Sequence, residues 1–292
     1  MSLAPRVVIV HRATELDELL AHHGTRGQAA FFLSTRGRSI DEVEARHAAT
    51  RAAITAVSAA IPIDWRRGSV ERNDLARFLF APDDVIVVVG QDGLVANVAK
   101  YLDGQPVIGI NTDPSRNPGV LVRHRPSDAA SLLHARADVQ ERTMVEARTD
   151  DGQSLQALNE IFLGHPTHQT ARYVLAAPGT EPEPQASSGL IVATGTGATG
   201  WCRSAWLERH SDLVLPGPSE SRLAWFVREA WPSPATGTSR TQGCLTDQGL
   251  VISVESDHLV VFGDGIEADN LSLTWGQQVR ITRSARTLRL VG

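Results

Sequence analysis

The sequence contains few cysteines and few aromatic residues, and it has neither a long hydrophobic run nor a long basic block. Its 292 residues include two cysteines, Cys202 and Cys244, too few for a disulfide scaffold and spaced unlike a zinc or redox motif. We interpret both as small packing residues. The apolar run at residues 7–10 is too short for a signal peptide or a membrane span, which predicts a cytoplasmic protein with no membrane partner.

Positive charge is also scarce, with 28 Lys and Arg residues against 33 Asp and Glu residues and a net charge of -5. Without a basic block, the chain lacks the electrostatic footprint of a protein that binds nucleic acid. Hydrophobic residues make up 42% of the chain, which is ample for a buried core. The composition therefore predicts an ordinary globular protein with no nucleic acid partner.

Apolar strands alternate with helical patterns through the first 125 residues, as expected for a parallel sheet with helices on its faces. Residues 85–89 form an uninterrupted β-branched run, typical of a strand buried on both faces. A capping-box pattern after Ser39 begins a helix that Pro62 ends. The predicted order is strand 7–10, helix 15–23, strand 29–33, helix 40–61, strand 85–89, helix 94–102 and strand 106–110.

Near residue 125 the pattern changes to short strands separated by clusters of Gly, Pro, Ser and Asp, which favours an antiparallel sandwich. Segments 178–188 and 232–243 are rich in Pro and Ser and are predicted to be exposed loops. An Asp-Gly pair predicts a tight hairpin over residues 261–266. The other predicted strands are 156–163, 171–176, 189–194, 249–253, 259–262 and 278–282.

The most informative segment is the glycine turn Gly90-Gln91-Asp92-Gly93, which follows the buried strand. At the carboxyl end of a parallel strand, glycines let backbone N–H groups approach phosphate oxygens, and the following helix adds its positive N-terminus. A carboxylate repels phosphate, so Asp92 needs another task, either taking a proton from an attacking hydroxyl or holding Mg²⁺. The alternative is a simple turn in which Asp92 caps the helix.

Two further clusters carry polar or glycine-rich chemistry. Asn159-Glu160 joins an amide to a carboxylate, a pair that can bind ribose hydroxyls or a base edge, although a solvated strand pair is the simpler interpretation. Gly195–Gly200 spells the dehydrogenase pattern GxGxxG, but a poor strand precedes Glu220 at the acidic position, so hydride transfer is a minor alternative. The segment His165–His168 lacks a third ligand at a familiar spacing, so no metal site is predicted.

In their order along the chain, these three clusters resemble the motifs of the NAD kinase family, which pairs a GGDGT turn with an NE motif and a later Thr/Gly-rich stretch. Gly90–Leu94 stands at the GGDGT position, Ala157–Glu160 at the NE position, and Ser188–Trp201 at the GDGLIVSTPTGSTAY position. The segment Gly109–Asn111 looks like that family's Gly-x-Asn after the next strand. The similarity extends over residues 85–292.

The resemblance implies an α/β fold class with a Rossmann-like parallel-sheet domain at residues 1–125 that carries the turn. It implies a β-rich, sandwich-like dinucleotide-binding domain at 126–264 and a C-terminal segment, 265–292, that returns to the first domain. The implied activity is transfer of a phosphoryl group from ATP or another donor to the 2′-hydroxyl of the adenosine ribose of NAD, giving NADP. The implied partners are NAD and ATP with Mg²⁺, in a homodimer or homotetramer.

The same resemblance assigns roles to individual residues. Asp92 is expected to be the catalytic base. The expected substrate-binding residues are Gly93, Asn111, Asn159, Glu160, Ser188, Thr199, Gly200, Trp201 and Ser204. The expected phosphate-donor-binding residues are Gly90, Gln91, Gly93, Thr196 and Gly197, and no residue is assigned as a metal ligand.

The sequence departs from the family pattern at several of these positions. Gln91 and Leu94 replace the second Gly and the Thr of GGDGT, which removes close backbone approach and a hydroxyl ligand on the donor side. Ser188 stands where the family has an Asp, residues 113–118 look like an insertion, and Val120 replaces an aromatic residue. Two alternatives therefore stay open: a kinase for another hydroxyl acceptor such as NADH, a nucleoside or a lipid-like alcohol, and a non-catalytic NAD(P) sensor.

Overall fold

The structure is a computed structural model that describes residues 4–134 and 138–292. The distribution of contacts divides the chain into two compact units. The first unit contains Met1–Gln140 together with Arg289–Gly292, and the second contains Glu141–Leu288. Each unit has its own hydrophobic core.

The first unit consists of parallel strands and helices. The strands are β1 (Arg6–His11), β2 (Arg66–Glu71), β3 (Asp84–Gly90) and β4 (Pro106–Asn111), and the helices are α1 (Glu15–His23), α2 (Arg26–Ser34), α3 (Ile40–Ala60), α4 (Asp92–Ala99) and α5 (Ala129–His134). Short 3-10 turns lie at Arg72–Arg77 and Pro126–Asp128. The strands follow the order β2-β1-β3-β4, all parallel, which confirms the predicted parallel sheet.

The β-branched run of β3 lies at the centre of this sheet, as its composition predicts. Residues 86–89 are buried to within 1% of full burial. On one face the sheet packs against α3 and α5, whose side chains join one hydrophobic cluster with β1, β3 and β4. The carboxyl ends of β1, β2, β3 and β4 therefore share one edge of the sheet, where the glycine turn lies.

The predicted strand at residues 29–33 is wrong, because this segment belongs to helix α2. Thr25 caps the helix, since its side chain accepts a hydrogen bond from the backbone N–H of Gln28. Ala29 and Leu33 are both fully buried and lie four residues apart, so they share one helical face. A short apolar run fits a buried strand or a buried helical face equally well, and here the cap decides for the helix.

The second unit is a sandwich of two mainly antiparallel sheets. One sheet contains β5 (Val139–Thr149), β6 (Ser154–Ala157), β8 (Ala171–Ala176), β9 (Glu183–Ser187), β13 (Leu250–Val254) and part of β16 (Gln278–Val291). The other has the order β12 (Gln242–Leu245), β11 (Leu223–Arg228), β10 (Gly189–Ala193), β7 (Glu160–Gly164), β14 (Leu259–Gly263) and β15 (Asn270–Leu273). Their inward-facing side chains form one shared core, so the predicted sandwich is confirmed. Helix α6 (Trp201–Glu208) follows a 3-10 turn at Gly197–Thr199.

Three local predictions for this unit are wrong. The predicted strand 156–163 is interrupted between β6 and β7, because the backbone N–H groups of Leu158 and Asn159 bond to a side chain instead of a neighbouring strand. The predicted loop 178–188 contains strand β9, which pairs with β8 and buries Gln185 and Ser187. The hairpin after β14 is longer than predicted, since Phe262 pairs with Asn270.

The end of the chain contributes to the first unit. The last residues of β16, Arg289 and Leu290, pair in parallel with Pro106 and Val107 of β4. The contact division falls after Gln140, because α5 packs on α3 of the first unit. The domain limits 1–125, 126–264 and 265–292 stay predictions.

The two cysteines differ in their exposure. Cys202 is buried on α6 as predicted, but Cys244 is exposed on β12, so its assignment as a packing residue is wrong. Among residues 4–134 and 138–292, no helix is long and apolar enough to cross a membrane.

Candidate active site

The glycine turn connects β3 directly to α4. The N-cap of α4 is Gln91, whose side chain makes no capping hydrogen bond, and Asp92 is the first helical residue. The alternative in which Asp92 caps the helix is therefore wrong. A Cβ added at Gly93 would meet no atom within 4 Å, so this side of the turn is open, whereas the side chain of Leu94 is only 5% exposed.

The Asp92 carboxylate accepts hydrogen bonds from three consecutive backbone N–H groups. Oδ1 lies 3.1 Å from the nitrogen of Val120, 2.8 Å from that of Leu121 and 2.9 Å from that of Val122. Oδ2 lies 2.9 Å from the nitrogen of Val120. Hydrogen bonds to an ionised acceptor are the stronger kind, so the carboxylate is held in one orientation at the end of β3.

The segment that supplies these donors is itself closed by Asn111. Asn111 is 5% exposed. Its Oδ1 accepts from the backbone N–H of Asp113 at 2.9 Å, and its Nδ2 donates to the carbonyl oxygen of Asn117 at 2.8 Å. Gly119 has φ +75, and a Cβ there would lie 2.3 Å from the carbonyl oxygen of Val122. The predicted insertion is thus a compact loop, and substrate contact by Asn111 stays a prediction.

A cation that the sequence reasoning missed also lies at this edge of the sheet. Arg72 directly follows β2. Strand β1 pairs in parallel with both β2 and β3, so the carboxyl ends of β2 and β3 lie on either side of the end of β1. The Nε of Arg72 donates to Oδ1 of Asn97 on α4 at 2.6 Å, and Asn97 is 6% exposed. This bond fixes a guanidinium beside the helix that begins at Asp92.

In the second unit, Asn159-Glu160 lies in the interruption between β6 and β7, and Thr194 holds one side of it. The Oγ1 of Thr194 donates to the carbonyl oxygen of Leu158 at 2.6 Å, and its backbone N–H donates to that of Asn159 at 2.9 Å. A Cβ added at Gly197 would lie 2.1 Å from the carbonyl oxygen of Asn159. Glycine is therefore required at 197 so that the two backbones can approach.

Asp264 holds the other side of the same peptide. Its Oδ2 accepts from the N–H of Leu158 at 2.9 Å, and its Oδ1 accepts from the N–H of Asn159 at 2.6 Å. Its own N–H donates to the carbonyl oxygen of Glu160 at 3.1 Å. The backbone groups of this peptide are therefore engaged in hydrogen bonds with Asp264 and Thr194. The side chains of Asn159 and Glu160, in contrast, have no hydrogen-bond partner within the described part of the chain.

Glu160 has an unusual protonation equilibrium. Burial raises the pKa of Glu160 to about 7, and the nearby charge of Asp264 contributes in the same direction. Cys202 is also coupled electrostatically to Glu160, but burial raises the pKa of that thiol to about 12, so it stays neutral and adds no charge near pH 7. Glu160 can therefore change between acceptor and donor near neutral pH.

The glycine-rich segment after β10 packs closely against its surroundings. A Cβ at Gly195 would lie 1.9 Å from the carbonyl oxygen of Gly217, so this glycine also permits backbone contact and is not a sign of dinucleotide phosphate binding. Thr196 is 6% exposed, and its Oγ1 has no hydrogen-bond partner among residues 4–134 and 138–292. The Oγ1 of Thr199 donates to the carbonyl oxygen of Thr196 at 2.9 Å, and Gly200 precedes α6.

The remaining predicted residues lie farther along this unit. Trp201 stacks on Phe162 with ring centroids 5.3 Å apart, and the Arg228 guanidinium lies 5.2 Å from the Trp201 ring centroid. Ser204 is exposed on α6. Ser188 is exposed and precedes β10, whereas the glycine-rich segment follows β10. The length of this strand therefore separates Ser188 from that segment by roughly 20 Å.

Most of the predicted residues therefore form two groups, one in each unit, and Ser188 lies apart from the second group. The first unit brings together the turn Gly90–Gly93 and Asn111, and the second brings together Asn159-Glu160 and Thr194–Thr199. No group of three or more His, Cys, Asp or Glu side chains in the described residues is arranged to hold a metal ion. The sequence predicts no role for Arg72, Thr194 or Asp264, and the one available signal, the Asp-Gly pair at Asp264, by itself indicates only a turn.

In the first unit, parallel strands end at a glycine turn with a fixed carboxylate, and in the second unit a sandwich carries an amide–carboxylate pair. These features define a two-unit α/β protein of the nucleotide-dependent enzyme class. No protein-family model matches the chain. It is 26% identical over 235 residues to the NAD kinase of Caldicellulosiruptor saccharolyticus, covering 78% of this chain and 82% of that protein. It is 27% identical over 259 residues to a probable NADH kinase of Oryza sativa, covering 78% and 76% of the two chains.

The fold agrees with these sequence similarities. The structure of an NAD kinase from Archaeoglobus fulgidus in complex with ATP superposes with a TM-score of 0.59 and 18% identity, over 98% of this chain and 93% of that one. The chain is thus similar in sequence to proteins named NAD kinase and NADH kinase, and it has the fold of an NAD kinase.

Proposed function

We propose that this protein is a kinase that transfers the γ-phosphoryl group of ATP to the 2′-hydroxyl of the adenosine ribose of NAD. The observation that carries the proposal is the Asp92 carboxylate, fixed by three backbone N–H groups where a parallel strand ends in a glycine turn. A ribose hydroxyl is a poor nucleophile and needs a positioned base. The relatives named NAD kinase and NADH kinase support the choice of substrate.

In the proposed step, the 2′-oxygen bonds to the γ-phosphorus while the bond from that phosphorus to the β–γ bridging oxygen breaks. ADP leaves with the electron pair of the broken bond, and the hydroxyl proton passes to Asp92. Oδ2 is the proposed acceptor, because it receives one backbone hydrogen bond whereas Oδ1 receives three. Positioning supplies most of the rate in such a reaction, and the fixed carboxylate suits that requirement.

The donor side of the site would use charge where other family members have a hydroxyl. Leu94 is buried and offers no ligand for phosphate, but Arg72 is anchored beside the same helix through Asn97. A guanidinium is a strong phosphate ligand. We infer that Arg72 contributes to binding the donor phosphates, together with the open backbone at Gly93.

Mg²⁺ belongs to the proposal as the ion that accompanies ATP. The described residues include no cluster of three ligating side chains, and both oxygens of Asp92 already accept hydrogen bonds. The described residues therefore do not form a metal site of their own, and Mg²⁺ would enter with the nucleotide. We also propose a cytoplasmic homodimer or homotetramer.

The test is to incubate the purified protein with NAD, ATP and Mg²⁺ and to measure NADP. Formation of NADP supports the proposal, and failure with every donor, including polyphosphate, contradicts it. Turnover of NADH, a nucleoside or another alcohol without turnover of NAD would select the alternative acceptor. Tight NADP binding without ATP binding would select the sensor instead.

Asp92→Asn examines the role of the carboxylate. If Asp92 is the base, the rate falls at least about a hundredfold while NAD affinity stays within several-fold. Because the variant also places an amide NH₂ against the N–H donors of the loop, hydrogen exchange at Val120, Leu121 and Val122 must be measured in parallel. A rate loss with unchanged exchange indicates a base, whereas equal loss of NAD binding and of loop protection indicates an anchor alone.

A further inference from the structure

The strongest unused feature of the second unit is Asp264, which lies in the loop between β14 and β15. Its carboxylate accepts the N–H groups of Leu158 and Asn159 at 2.9 and 2.6 Å, and its own N–H bonds to the carbonyl oxygen of Glu160. One residue thus contacts three consecutive residues of a peptide that is distant in sequence. Neither Leu158 nor Asn159 belongs to a paired strand within the described residues, so other contacts must hold this peptide in its place.

We propose that Asp264 is a positioning residue for NAD binding, which fixes the Leu158–Glu160 backbone so that the side chains of Asn159 and Glu160 are held ready for the dinucleotide. This inference rests on the proposed function. Asp264 does not itself need to contact NAD, because both of its carboxylate oxygens bond to the peptide. Thr194 holds the carbonyl side of the same peptide, so the two residues together fix its orientation.

The geometry explains why a carboxylate is required at this position. Two adjacent N–H groups point at one residue, and a carboxylate offers an acceptor oxygen to each, whereas an asparagine offers one. Asp264 has φ +53, a conformation that Asn and Asp tolerate better than other residues with a Cβ. Asp264→Asn therefore removes one acceptor and the charge while it keeps the backbone conformation.

The charge of Asp264 has a second effect on the peptide that it holds. It helps to keep the pKa of Glu160 near 7, so Glu160 loses its proton, and gains its full acceptor capacity for ribose hydroxyls, as the pH rises through neutrality. Without that charge the pKa of Glu160 falls. A residue that only stabilised the loop would leave this titration unchanged.

The experiment compares Asp264→Asn with Glu267→Gln, which removes one negative charge from an exposed position of the same loop. For Asp264→Asn we expect the KM for NAD to rise about tenfold or more, with a smaller fall in kcat, because a charge-assisted hydrogen bond is lost. We also expect faster hydrogen exchange at Leu158 and Asn159, and a downward shift in the pH midpoint of NAD binding. Glu267→Gln should change none of these.

The outcomes separate the two proposals. If the wild-type protein makes NADP and Asp264→Asn keeps its KM for NAD and the pH midpoint, the positioning role is wrong and the kinase function stands. If the wild-type protein neither binds nor phosphorylates NAD, the proposed function fails, and the role of Asp264 in NAD binding fails with it. If Asp264→Asn loses its circular dichroism signal, Asp264→Glu decides: a folded variant with unchanged KM overturns the inference, and a raised KM supports it.

Discussion

Replacing Glu160 by glutamine tests the electrostatics of the second unit and has a calculable size. The pKa of Glu160 rises from 4.5 in the unfolded chain to about 7 in the folded protein, because burial and the charge of Asp264 disfavour its ionised form. Folding therefore favours the protonated form of Glu160. As a result, the free energy of unfolding falls as the pH rises from 4.5 towards 7 and Glu160 must lose its proton. Linkage gives a loss of about 2.5 kcal/mol between pH 5 and pH 8.5, and above pH 7 the loss levels off. Glutamine has no such titration.

The assay is urea unfolding of the wild-type protein, Glu160→Gln and the loop control Glu267→Gln at pH 5 and pH 8.5. Relative to the wild type, Glu160→Gln should be more stable at pH 8.5 than at pH 5 by about 2.5 kcal/mol. The control should follow the wild-type pH dependence. Parallel curves for the wild type and Glu160→Gln would refute the reasoning, since they would mean that Glu160 is solvated in the folded protein.

Two further predictions concern the first unit. Arg72→Ala should raise the KM for ATP about tenfold and leave the KM for NAD unchanged, because the guanidinium proposed to bind phosphate is lost. The control is Arg77→Ala, at an exposed position of the same turn, which should change neither constant. Gly119→Ala should lower the melting temperature and the rate, because its Cβ would clash with Val122 as well as strain the backbone. Gly37→Ala has a similar positive φ and no neighbour within 4 Å, so thermal unfolding that showed equal losses for both variants would contradict the clash.

The sequence allowed prediction wherever a local pattern determined the structure. The β-branched run of β3 predicted a strand buried on both faces, and the capping pattern after Ser39 predicted α3. The apolar segment of α2 was predicted wrongly, because five apolar residues satisfy either period and the deciding cap at Thr25 lies outside them. A local pattern therefore predicts an element when it is long or when its cap directly adjoins the apolar residues, as Ser39 does in α3 and Thr25 does not in α2.

The candidate site was predictable only in part, for a physical reason. Asp92, Asn159 and Glu160 lie in recognisable short motifs, but the residues that hold them do not. Asp264 bonds to a peptide more than a hundred positions earlier in the chain, and no local spacing encodes such a contact. Arg72 likewise meets Asn97 only after β2 and β3 have paired with β1. The groups proposed to contact substrate lie in motifs, whereas the groups that orient them are set by tertiary structure.

Both units place a carboxylate against consecutive backbone N–H groups, yet the two carboxylates are left with different capacities. Asp264 uses each oxygen for one N–H of the peptide beside Glu160, so its bonding is directed at a neighbour. Asp92 concentrates three of its contacts on Oδ1 and shares one N–H with Oδ2, which leaves acceptor capacity on that single atom. In the proposed reaction, Oδ2 is held by the Val120 N–H and accepts the hydroxyl proton through its remaining acceptor capacity. If the turn binds the donor phosphates as proposed, this geometry explains the aspartate there, because an unheld carboxylate would only repel the donor.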